Sequence, residues 1–249
     1  MSFLLSARGL HKRFGAVVAA DDVSIDVPPG QKLSLIGSNG AGKTTFVNMV
    51  TGFLKPDSGQ IELLGDDITR LSPRHIARLG ICRSFQIPQL CIELTALENL
   101  LVAVAAASPK RLSLWHPAEA DGGRERAEHL LERFGLAPSA KRRVTELAGG
   151  IRKLLDIAMA LARHPKLLLL DEPTSGVSAE EKVPTMERAM EALAQESVTV
   201  MFVEHDMDIV GAFSERVIAF YSGRIIDDGV PAAVLNNPEV QRYVTGAAK

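Results

Sequence analysis

The run Gly37-Ser38-Asn39-Gly40-Ala41-Gly42-Lys43-Thr44-Thr45 carries the strongest chemical signal in the chain, because its spacing satisfies G-x-x-x-x-G-K-[ST]. Glycines at these positions let successive backbone N–H groups turn into one concavity, and a helix that follows presents its positive end to phosphate oxygens. Lys43 is placed to meet the β- and γ-phosphates of a nucleoside triphosphate, Thr44 offers a hydroxyl to Mg²⁺, and Thr45 adds a phosphate contact. A dinucleotide-binding reading is weaker, since Gly40-Ala41-Gly42-Lys43-Thr44-Thr45 lacks the third small residue of G-x-G-x-x-G.

A second group lies far along the chain. In Leu167-Leu168-Leu169-Leu170-Asp171-Glu172-Pro173 two adjacent acids end an apolar run. If that run is a strand, the acids emerge at the carboxyl edge of a sheet, where α/β proteins hold their ligands. Asp171 then holds Mg²⁺ through water, and Glu172 polarises an attacking water as general base. Alone, Asp-Glu-Pro is ordinary turn chemistry; the phosphate loop upstream gives the pair its reading.

These residues need strands and helices in alternation, and the pattern supplies them. Lys32 to Ile36, Ile81 to Phe85, Leu167 to Leu170 and Val198 to Val203 read as strands buried on both faces of a mostly parallel sheet. Alternating segments at Val23 to Val27 and Gln60 to Leu64 suit a half-exposed antiparallel layer near the N-terminus. From Ile87 to Gly150 the character is helical. Ala96 to Ala107 and Arg124 to Phe134 are separated by Ser108-Pro109 and a loop-like Pro117 to Gly123. The expectation is an α/β fold.

Bulk properties limit the partners. With 46% hydrophobic residues among 249, the chain can build a sizeable core. A net charge of -2 offers no broad basic surface for nucleic acid. The apolar stretch Leu100 to Ala107 is far short of the roughly 20 residues that span a bilayer, and the N-terminus does not read as a secretory signal. Cys82 and Cys91 lack metal-site spacing and read as reduced packing residues.

With its motifs in this order, the chain resembles the nucleotide-binding subunits of ABC transporters over essentially its whole length. The resemblance implies a P-loop NTPase of ABC type spanning 1–249. Residues 1–86 and 151–230 would form a catalytic core, 87–150 a helical sub-domain and 231–249 a tail. It implies that Phe14, in Lys-Arg-Phe-Gly, stacks on adenine; that Gln86, in Arg-Ser-Phe-Gln, touches Mg²⁺ and the attacking water and senses a membrane partner; and that His205 contacts the γ-phosphate. Leu147-Ala148-Gly149-Gly150-Ile151 occupies the place of the family's Leu-Ser-Gly-Gly-Gln signature, which completes the ATP site of the opposite subunit in trans. Two departures stand out there: Ala148 lacks the serine hydroxyl and Ile151 replaces an amide. Ser178 likewise stands where the family has an aspartate at the dimer contact.

Glu204-His205-Asp206-Met207-Asp208 and the ending Asn237 to Gly246 resemble the ATPases of branched-chain and other hydrophobic amino-acid importers; urea and aromatic-acid systems look similar. ATP and Mg²⁺ follow as cofactors. The implied partners are integral-membrane permease subunits and a second ABC ATPase subunit, in a homo- or heterodimer. A periplasmic solute-binding protein is an indirect partner, and the implied location is the cytoplasmic face of the inner membrane. Two alternatives stay open. A soluble ABC ATPase of DNA repair or translation generally carries a second cassette or a long coiled coil, neither of which is seen. A regulator that does not hydrolyse ATP would need a missing catalytic group, yet Glu172 and His205 are both present.

Overall fold

The structure is a computed structural model that describes residues 3–84, 89–107 and 122–246. Phe85, Gln86 and residues 108–121 lie outside the described residues. The chain opens with β1 (Leu5–Phe14), β2 (Val17–Val27), β3 (Lys32–Gly37), α1 (Lys43–Val50), β4 (Ser58–Leu63), β5 (Asp66–Asp67), α2 (Pro73–Leu79) and β6 (Ile81–Ser84). Helices α3 (Ala96–Ala107), α4 (Gly123–Arg133) and α5 (Gly149–Leu161) follow, then β7 (Leu167–Asp171), α6 (Ala179–Ala194), β8 (Thr199–Val203) and α7 (Met207–Phe213). It closes with β9 (Arg216–Tyr221), β10 (Arg224–Gly229), α8 (Pro231–Asn236), α9 (Pro238–Val240) and a π-helical turn at Gln241–Thr245.

Two sheets carry the strands. One has the order β2-β1-β4-β5 and is antiparallel at each pairing, which is the N-terminal layer that the alternating segments predict. The other has the order β10-β9-β3-β8-β7-β6. In it β3 runs parallel to both β8 and β9, and β10 turns back antiparallel on β9. Strand β1 does not stand out in the sequence because Gly9, Lys12 and Arg13 interrupt its alternation. Its register shifts against β2 after Ala7, Leu10 and Lys12, so the interruptions are absorbed as bulges.

Contacts group the chain into two units. The first comprises residues 1–81, 166–169 and 198–249. Its core joins Leu5, Leu10, Ile25, Leu33, Leu35, Phe46, Ile61, Met201, Val203 and Phe220. A smaller cluster of Ile36, Val210, Val217, Ala219, Val234 and Val240 seats the C-terminal helices on β3 and β9. The second unit comprises residues 82–165 and 170–197. Within it α3 packs on α4 and α5, and α5 packs on α6. Leu100, Ala127, Leu130, Leu131, Phe134, Leu154 and Ile157 are buried there. The helical spacing of Ala127, Leu130, Leu131 and Phe134 turns one face of α4 inward. Cys82 is buried, and burial pushes its thiol above the ordinary range. Cys91 is exposed, so packing describes only the first cysteine.

Candidate functional site

The first unit holds the phosphate loop. Strand β3 is buried through its last residue, and the chain must then turn within a space that excludes side chains. A Cβ on Gly37, at φ 155°, would lie 2.5 Å from the carbonyl oxygen of Phe220. One on Gly42, at φ 113°, would lie 2.6 Å from the carbonyl oxygen of Ala19. Both close contacts are with backbone, which cannot rotate away, so only glycine fits. Between them Ser38, Asn39 and Gly40 form the outward bend, closed by the Ala41 N–H donating to Ser38 O at 3.1 Å. Asn39 and Gly40 are exposed, whereas Ala41 is buried.

Lys43 is 5% exposed, and its ammonium lies across the start of the loop, donating to Gly37 O at 2.6 Å and to Ser38 O at 3.1 Å. Helix α1 begins at Gly42 with no side-chain cap and no acid in its first turn. Its positive end therefore meets no acid from its own first turn. Thr44 is exposed and Thr45 half-buried at that end, while Phe46 is fully buried with its ring 6.0 Å from that of Phe220. The apolar anchor fixes the helix, and the polar residues before it remain available.

His205 shares this sheet edge. Leu35 of β3 pairs with Val203 of β8 in parallel register, so Gly37 and His205 leave neighbouring strands at the same end. The His205 side chain is exposed. Its backbone is held by the buried carboxylate of Glu204, which accepts the His205 N–H at 2.9 Å and the Asp206 N–H at 3.4 Å. Asp206 in turn caps α7 by accepting the Asp208 N–H. Phe14, the last residue of β1, is 51% exposed with Lys12 Nζ 5.8 Å from its ring centre, a presentation that suits stacking rather than core packing.

The second unit holds the acids and the signature segment. Asp171 ends β7, and its carboxylate accepts from the guanidinium of Arg83 on β6, both side chains being largely buried. Lys153 of α5, 1% exposed, donates to the Asp171 carbonyl at 3.4 Å. Glu172 follows with φ 46°, a left-handed conformation that costs a side-chain-bearing residue free energy. The Ser175 N–H donates to Glu172 O at 3.0 Å and closes the turn. These two basic residues were not singled out in the sequence. Their signal is a charge where the pattern is apolar: Arg83 within Ile81 to Ser84, and Lys153 on the buried face of α5.

Helix α5 starts at Gly149, three residues before the Arg152 expected from the helical pattern, with exposed Ala148 as its cap position. Both signature glycines thus belong to the first turn. A Cβ on Gly149 would lie 2.5 Å from Gly176 O, which accounts for glycine there. The first turn has no side-chain cap and no acid, and Ile151 is half-buried. Ser178 is the exposed N-cap position of α6 and makes no capping bond. Gln86 lies outside the described residues. The structure thus gathers Phe14, Gly37 to Thr45 and His205 in one unit, and Asp171, Glu172, Ala148 to Gly150 and Ser178 in the other.

A glycine-walled phosphate loop between a buried parallel strand and an uncapped helix defines a nucleotide-binding α/β protein of the P-loop class. The chain belongs to the ABC transporter family, whose family model matches residues 20–175. It is 37% identical over 98% of both chains to the high-affinity branched-chain amino acid transport ATP-binding protein LivG of Escherichia coli K12. It is 36% identical to the corresponding BraF protein of Pseudomonas aeruginosa, again over 98% of both chains. Among solved structures, an ATP-binding cassette of an ABC transporter in its ADP conformation superposes with a TM-score of 0.86 at 34% identity, covering 97% of this chain and 98% of that one. A nucleotide-free ATP-binding cassette gives 0.83 at 34% identity over 96% and 97%. The chain is an ABC ATPase, the ATP-hydrolysing subunit of a transporter.

Proposed function

We propose that this chain hydrolyses MgATP to drive import of branched-chain or other hydrophobic or aromatic amino-acid-like solutes. The observation that carries the nucleotide-binding half of this reading is the acid-free, uncapped start of α1 behind glycines with no room for a side chain, on the sheet edge that His205 shares. The cargo class is supported by similarity to LivG and BraF along nearly the full length of each. Among the described residues no helix is long and apolar enough to cross a membrane. The likeness to LivG and BraF supports work against integral-membrane permease subunits at the cytoplasmic face, paired with a second ATPase subunit and supplied indirectly by a periplasmic solute-binding protein.

The loop N–H groups and Lys43 bind the triphosphate, and Phe14 stacks on the adenine. The donors proposed for Mg²⁺ are oxygens, as a hard cation requires, and Asp171 already accepts a cation in the form of Arg83. Thr44 and Gln86 would hold the ion directly and Asp171 through water; when bound it neutralises charge building on the phosphate oxygens. Glu172 accepts the proton of the attacking water, and His205 steadies the γ-phosphate. Ala148, Gly149 and Gly150 present the start of α5 to the nucleotide of the opposite subunit. Without a hydroxyl, Ala148 forgoes a bond to a charged group that contributes about 1.5–3 kcal/mol when fully made. The site this chain completes for its partner is therefore the weaker of the two.

In the assembled transporter, Lys43→Ala is expected to abolish both ATP turnover and uptake of labelled leucine. Turnover unaffected by that substitution would overturn the site assignment. Lost turnover with undiminished leucine uptake would overturn the cargo class alone.

A further inference from the structure

The turn between β9 and β10 braces the phosphate loop from outside the site described above. Tyr221 and Arg224 are cross-strand partners, leaving Ser222 and Gly223 as the turn. Their φ values are 48° and 80°, the pair of positive angles that a type I′ hairpin needs. The Gly223 peptide is shared between two neighbours. Its N–H donates to Ala41 O in the phosphate loop at 2.9 Å, and its carbonyl accepts the Asp21 N–H of β2 at 2.9 Å. A Cβ on Gly223 would lie 3.0 Å from Val18 O and 3.2 Å from the Ala19 carbonyl carbon, and one on Gly42 would lie 3.3 Å from Gly223 Cα. Backbone here packs on backbone, so no change of rotamer relieves a misfit, and the course of Ala41 and Gly42 depends on where this turn sits.

The C-terminal tail holds the turn in place. Tyr243, in the π-helical turn, stacks on Tyr221 with ring centres 4.4 Å apart and planes inclined at 24°. Upstream of it, Val234 and Val240 pack with Ile36, Val217 and Ala219, on the two strands that lead into the loop and the hairpin. From the other side, Arg224 Nε donates to the Asp21 carboxylate at 2.7 Å and holds that carboxyl below its ordinary value.

We propose that Gly223 is a positioning residue for nucleotide binding and that the Tyr221–Tyr243 stack sets it, so that the C-terminal tail tunes the affinity of the phosphate loop. This rests on the reading of Gly37 to Thr45 as the phosphate site. The test uses the full chain and titrates a fluorescent methylanthraniloyl-ADP in the presence of Mg²⁺. Gly223→Ala is expected to raise the Kd about 10-fold or more, since a Cβ at positive φ must displace backbone. Tyr243→Ala is expected to raise it by about 3- to 10-fold and Tyr243→Phe by less than about 2-fold, because the stack needs the ring and not the hydroxyl. Turnover of Tyr243→Ala at saturating ATP stays near wild type, a split between binding and catalysis that general loosening of the fold would not give. Should Gly223→Ala fail to fold, the two Tyr243 variants carry the test, and equal losses from both count against the proposal. If Lys43→Ala abolishes binding while Gly223→Ala and Tyr243→Ala bind like wild type, the proposal falls and the phosphate site stands. If Lys43→Ala itself binds like wild type, both fall.

Discussion

Helices α1 and α5 both begin without a side-chain cap and without an acid in the first turn, yet their surroundings differ. The start of α1 is enclosed: Gly37 and Gly42 are buried against the backbone of Phe220 and Ala19, and Lys43 is folded over the loop. The start of α5 is more open, with Ala148 and Gly149 exposed, although Gly176 limits Gly149 and Gly150 is buried beside Thr185. Both ends carry positive dipole character. On the proposed reading the enclosed end with its own lysine holds a phosphate chain in cis, and the open end meets a phosphate carried by another chain. The acids belong with the open unit, where Glu172 sits on strained backbone and Asp171 on a part-buried ion pair. On the proposed reading the phosphate loop and His205 of one unit hold the triphosphate, and the general base Glu172 comes from the other.

The largest effect expected from breaking this division is at Lys43. Replacing it with alanine removes the buried ammonium from the loop, and equilibrium titration should show nucleotide affinity reduced about 100-fold or more, as two charge-assisted phosphate bonds are lost. In the other unit, Arg83→Ala leaves the part-buried Asp171 carboxylate without its guanidinium. Losing such a charge-assisted bond costs about 1.5–3 kcal/mol, read as a lower midpoint in thermal or denaturant unfolding. A midpoint unchanged by Arg83→Ala would show that the pair contributes nothing to the open unit. Ala148→Ser sharpens the comparison in the opposite direction. Restoring a hydroxyl at the open end should raise turnover of the assembled dimer by up to about 10-fold while leaving this chain's own nucleotide affinity unchanged. Phe14→Ala is expected to weaken adenine nucleotides by about 5- to 10-fold, the low end of what one stacked base contributes.

The enclosed site was readable in the sequence because each of its demands is local. A buried strand, glycines, a lysine and a helix follow one another within Lys32 to Val50, and the structure places each where the spacing predicts. Asp171 and Glu172 were readable for the same reason, at the end of a uniformly apolar strand. What escaped the sequence depends on distant chain. Arg83 meets Asp171 across 88 positions, and nothing near either residue announces the pairing. Lys153 looks like a surface charge until the packed face of α5 is known. Gly223 reads as an ordinary hairpin glycine, and its contact with Ala41 follows only from the position of β9 beside β3. Helix α5 also begins earlier than its pattern, since glycines mask a helical start in sequence while Gly176 requires one of them in space.

The claim that the nucleotide is held by one region and hydrolysed by the other is tested most directly with Glu172→Gln, measuring MgATP affinity and turnover on the same preparation of the assembled transporter. Affinity is expected to stay within about 3-fold of wild type, while turnover falls by about 10²- to 10⁴-fold, the usual contribution of a general base. Turnover preserved in Glu172→Gln, or lost only in proportion to a loss of binding, would contradict the account.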